Sequence, residues 1–66
     1  MMDFVAAAEQ LAESSNLKII TKRNGTGQVV NWRVYRAMPD RLVFLGSRAS
    51  PSALLRIVEH FARAAP

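Results

Sequence analysis

Residues 28–47 read QVVNWRVYRAMPDRLVFLGS, two apolar-rich runs on either side of Met38-Pro39-Asp40-Arg41. The runs hold the only Trp and the only Tyr of the chain, Trp32 and Tyr35. Valine, aromatic and leucine side chains bounded by turn residues predict a β-hairpin with strands over about 28–37 and 41–47. The other elements read as support for it.

The turn decides which side chains the last strand buries. Pro39 suits the first central position of a type I turn, and a two-residue Pro39-Asp40 loop sets Tyr35 opposite Phe44 with Val43 and Leu45 inward. An odd loop inverts the strand, burying Leu42 and Phe44 and turning Val43 and Leu45 outward. The odd loop is the expected one, because Phe44 brings the larger apolar side chain to the core and Arg41 then points to solvent. Either arrangement leaves apolar groups on the outer face of the sheet.

Upstream, LKIITKR at 17–23 is a short β-branched run, and Asn24-Gly25-Thr26-Gly27 supplies residues that accept positive φ. A first strand over about 17–23 therefore turns directly into the second. A loop of two or four residues places Ile19 opposite Val30 or Trp32, and either count puts Leu17, Ile19, Val30, Trp32 and Val34 on one face. Lys18, Lys22, Asn31, Arg33 and Tyr35 fall on the other, with Ile20 and Val29. There Lys18 and Arg33 are expected to oppose each other as a like-charge pair. Trp32, alternating with Val30 and Val34, reads as core.

Helices flank this meander. Asp3 suits an N-cap, and Phe4, Ala7, Ala8, Leu11 and Ala12 share one helical face, which predicts a helix over about 3–15 ended by Ser14-Ser15-Asn16. Ser50-Pro51 is a strong helix start, with Leu54, Ile57, Val58, Phe61, Ala62 and Ala65 on one face of a helix over about 51–64. Arg56, Glu59, His60 and Arg63 occupy the opposite side. The expected fold is a single α+β domain of order α-β-β-β-α, an antiparallel meander with both helices on one face.

A chain of 66 residues with no Cys has neither a disulfide framework nor thiolate metal ligands, and no room for a deep cleft. His60 is the lone histidine, the five carboxylates are scattered, and Ser50 is better explained as a cap. No catalytic role, cofactor or metal is expected. The apolar runs fall far short of the roughly 20 residues that span a bilayer, and the Met-Met-Asp start lacks a basic leader region, so a cytoplasmic protein without membrane contact is expected.

The net charge of +4 is unevenly laid out. Asp3, Glu9 and Glu13 stand in the first 16 residues without a base, whereas all nine Lys and Arg follow, against Asp40 and Glu59. Such a basic segment suits a phosphate or an acidic surface, and its plain alternative is a solvated β-surface whose charges block edge aggregation. Lys18, Lys22, Arg33, Arg41 and Arg48 are the candidate phosphate contacts, with Tyr35 as the stacking ring. Arg33, Arg36, Arg41 and Arg48 lie close together on neighbouring strands, and arginine suits bidentate anion contact.

The order α-β-β-β-α, with Gly46-Ser47-Arg48 leading into the last helix, resembles a double-stranded RNA-binding domain across nearly the whole chain. Residues 31–62, a strand hairpin followed by a helix, are similar to the arm-type DNA-binding domains of phage integrases, which read DNA with the face of a three-stranded sheet. Both resemblances imply a fold. The RNA-binding family carries a lysine-rich motif where this chain has Ser50-Pro51-Ser52-Ala53, and the integrase domains lack the leading helix. The expected function is a small nucleic-acid-binding domain using the exposed sheet face. The alternative is a non-catalytic interaction module: a homodimer, or a phage or mobile-element adaptor or inhibitor docking on an acidic host-protein surface.

Overall fold

The computed structural model describes residues 3–64. Helix α1 (Phe4–Ser14) leads into strands β1 (Leu17–Arg23), β2 (Val29–Ala37) and β3 (Leu42–Arg48), and helix α2 (Pro51–Arg63) closes the chain. The three strands form one antiparallel sheet in the order β1-β2-β3. This is the expected α-β-β-β-α order. Both helices lie on one face of the sheet, α1 against β1 and α2, and α2 also against β3 and β2. The result is a two-layer slab about 15 Å through its thinnest dimension, with one sheet face left open.

Capping sets the helix ends. The Asp3 carboxylate accepts from the Ala6 amide at 3.1 Å, and the Ser50 hydroxyl accepts from the Ala53 amide at 3.3 Å, with Pro51 in the first turn. Each satisfies a backbone donor that a helix start leaves without a partner. Asn16 takes a left-handed φ of 57° just past α1, and its carbonyl accepts from the Ala37 amide at 2.8 Å. The residue that stops the helix thus begins the ladder between β1 and β2.

Val34, Leu54 and Val58 are the largest fully buried side chains, surrounded by Ala8, Ala12, Leu17, Trp32 and Ile57. Trp32 is core, as its alternation predicts. Burial of a side chain of this size contributes about 1.5–3 kcal/mol. Phe4 departs from expectation: it lies on the apolar stripe by angle but at the free end of α1, and stays 39% exposed. Ala65 lies outside the described residues.

The strand pairing corrects the expected register twice. Asn24 and Gln28 close a three-residue loop, with the Asn24 amide donating to the Gln28 carbonyl at 2.9 Å and Gly27 at φ 85°. The Asn24 side-chain carbonyl holds the loop by accepting from the Thr26 amide, the Thr26 hydroxyl and the Gln28 amide. A register shift between Lys22 and Arg23 then leaves Val30 as an extra residue on β2. An odd loop and a one-residue bulge cancel, so the faces come out as expected while the pairing moves. Ile19 opposes Val34 instead of Val30 or Trp32, and Leu17 opposes Arg36 instead of Trp32 or Val34. Val30, at the bulge, is 49% exposed instead of buried.

At the second turn the expected odd loop is not formed. The Met38 amide donates to the Arg41 carbonyl at 2.9 Å, enclosing the two residues Pro39 and Asp40. Tyr35 therefore opposes Phe44, and Leu42 and Phe44 face away from the helices at 43% and 57% exposure. Turn geometry prevails over side-chain volume here: proline's φ suits the first central position of a tight turn, and Leu45 supplies the core instead. A second bulge, between Val34 and Tyr35 in the pairing, makes Leu45 the extra residue and sets Gly46 opposite Val34. Gly46 faces α2 so closely that a Cβ there would lie 2.8 Å from Ile57 Cδ1.

Candidate functional site

The open face is built by alternation along three strands. Reading across it, Lys18, Tyr35 and Phe44 form one row, Ile20, Arg33 and Ser47 the next, then Lys22 with Asn31 on one side and Ala37 with Leu42 on the other. Neighbouring strands are about 4.8 Å apart. Tyr35 and Phe44 meet edge to face, with ring centroids 5.5 Å apart and planes at 63°. Phe44 is the more exposed of the two and Tyr35 is half-buried.

Lys18, Lys22 and Arg33 are exposed on this face, and no carboxylate shares it. Asp3 caps α1, Glu9 and Glu13 ride on α1, Glu59 on α2, and Asp40 sits in the turn. The ion pair among the described residues is Arg41–Asp40 at 3.5 Å, well exposed and of small energetic weight. The face is thus basic without internal compensation. The expected Lys18–Arg33 opposition is absent: Lys18 opposes Tyr35, and Arg33 opposes Ile20. The longer first hairpin separates the two charges onto a diagonal. Asn31 adds a polar side chain whose Oδ1 is shielded from solvent and has no hydrogen-bond partner.

The fold brings together four of the six candidate residues: Lys18, Lys22, Arg33 and Tyr35. Arg41 lies in the turn before β3, exposed and paired with Asp40 rather than in the rows of the sheet face. Arg48 opposes Trp32, which is on the core face, and lines a groove between β3 and α2 with Leu45, Arg56, Ile57 and His60. Arg36, grouped with the others by sequence distance, opposes Leu17 on the inner face and donates to the Phe61 carbonyl at 3.2 Å. That carbonyl is in the last turn of α2, so Arg36 caps a helix C-terminus.

Phe44 joins the face although it is outside the candidate set: the two-residue loop, the alternative not favoured from sequence, is what sets it beside Tyr35. His60 is exposed on α2 with its ring edge-on to Phe61 at 4.9 Å. Among the described residues no three His, Cys, Asp or Glu side chains gather to hold a metal, and no helix is long and apolar enough to cross a membrane. Chemically the open face offers cations and an aromatic surface, a combination suited to binding. Comparison of the chain with protein-family models, with curated proteins and with solved structures gives no match in any of the three.

Proposed function

We propose that this chain is a small, non-catalytic nucleic-acid-binding domain that uses the open face of its sheet. The observation that carries the reading is an exposed aromatic pair, Tyr35 and Phe44, among Lys18, Lys22 and Arg33 with no carboxylate on the same face. Cations for the phosphates and rings for the bases are the two components of sequence-tolerant nucleic-acid grooves. The same face argues against a sheet-to-sheet homodimer. A two-fold axis would press three unpaired cations against their own copies, and desolvating charge without a partner is costly.

A second reading, docking on an acidic protein surface, draws on the exposure of Leu42 beside Phe44, since apolar side chains rimmed by charge also suit a protein partner. Fluorescence anisotropy with labelled oligonucleotides at low and near-physiological salt separates the two. Three phosphate contacts predict that log affinity falls with log salt at a slope of about −2 on a single strand or −3 on a duplex. Arg33→Glu, at the centre of the face, should weaken binding by roughly tenfold. No binding to any oligonucleotide at low salt, or an affinity indifferent to salt, overturns the nucleic-acid reading in favour of the protein partner.

A further inference from the structure

We infer that the ligand of this face is a single-stranded nucleic acid, held by a base stacked on the exposed Phe44 ring beside Tyr35; this rests on the nucleic-acid reading above. The two rings stand at 63° with centroids 5.5 Å apart, already in edge-to-face contact with each other, so together they offer a base one exposed ring surface, that of Phe44. A continuous two-base platform would need rings closer to coplanar. Lys18, in the same row as the rings, and Arg33, one row over on the central strand, are placed for the phosphates on either side of the seated nucleotide.

A duplex cannot use this seat, because its bases are already stacked and paired and present phosphates and groove edges to a protein. An unpaired base supplies what the face lacks: an apolar π-surface for the rings, with a phosphate nearby for each cation.

The test uses the intact chain and its Phe44→Leu variant against a fluorescent oligothymidine strand, an oligouridine strand and a duplex of equal length, each over a salt series. Leucine keeps an apolar side chain at this exposed position, so folding is preserved, which a thermal melt verifies. The expected result is oligothymidine bound at least tenfold more tightly than the duplex, and about tenfold weaker binding of it by Phe44→Leu, with the salt slope unchanged because no charge is lost. Duplex binding equal to or tighter than the single strand, or a Phe44→Leu variant that holds oligothymidine like the parent, overturns the seat and leaves nucleic-acid binding standing. Whichever of oligothymidine and oligouridine is bound the more tightly identifies the backbone, and a duplex bound more tightly than both overturns the single-strand assignment. Binding to none of the three at low salt overturns the underlying reading itself.

Discussion

Gly46→Ala tests how closely α2 lies on β3. The new Cβ would sit 2.8 Å from Ile57 Cδ1, against a comfortable carbon–carbon separation of about 3.5–4.0 Å. Roughly 1 Å of overlap must therefore be relieved. Ile57 is buried, and its ethyl arm can relieve the overlap only by turning toward the groove that it lines between β3 and α2. Overpacking of this kind costs about 1–3 kcal/mol, while replacing Gly in a strand returns about 0.5–1 kcal/mol. The net expectation is a loss of about 1 kcal/mol, a fall in melting temperature of about 4–8 °C for a domain of this size. Ile57→Val alone removes the offending methyl group and costs about 0.5–1.5 kcal/mol. Combined, the alanine Cβ occupies the space that Cδ1 vacates, so the double variant should be no less stable than Ile57→Val by itself. Urea unfolding followed by the fluorescence of the buried Trp32 gives all four corners of the cycle. Strictly additive losses would refute the contact.

Other expectations follow from single contacts. Arg36→Met keeps the aliphatic stem but removes the bond to the Phe61 carbonyl; it should lower unfolding free energy by about 1–2 kcal/mol in urea while leaving oligonucleotide affinity unchanged. An affinity loss with unaltered stability would instead put Arg36 on the ligand. Gly27→Ala forces a Cβ onto a φ of 85° and should cost about 1–2 kcal/mol, whereas Gly25→Ala, with open space around it and no positive φ, should stay within about 0.5 kcal/mol in the same thermal melts.

The parts of the fold legible in the sequence are those with a local cause. Asp3 and Ser50 cap their helices, Asn16 turns left-handed where α1 ends, and Trp32 is buried with Val34. Register is a different matter, because a bulge leaves no mark in the alternation of apolar and polar residues. Val30 and Leu45 each add one residue to a strand, and each moves side chains far from itself. Had the Tyr35–Phe44 pairing continued unbroken, Arg48 would lie opposite Asn31 on the open face. The bulge at Leu45 turns it to the helix side. Arg36 was unreadable for another reason: its partner is a backbone carbonyl 25 residues away, which no spacing along the chain announces. Phe44 was misplaced by ranking volume above turn geometry.

The separation of charge between the two layers bears on approach as well as on contact. Four of the five carboxylates lie on or cap the helices, where Arg56 and Arg63 of α2 and the helix-side Arg36 and Arg48 offset them, whereas the open face carries Lys18, Lys22 and Arg33 with no carboxylate. The excess positive charge therefore lies toward the open sheet. In the field of a polyanion the slab is turned face-first before any side chain touches, at separations up to about a Debye length, roughly 8 Å in physiological salt. Orientation that is ordinarily found by random tumbling is then supplied during diffusion. Added salt, by shortening that reach, slows capture more than it hastens release.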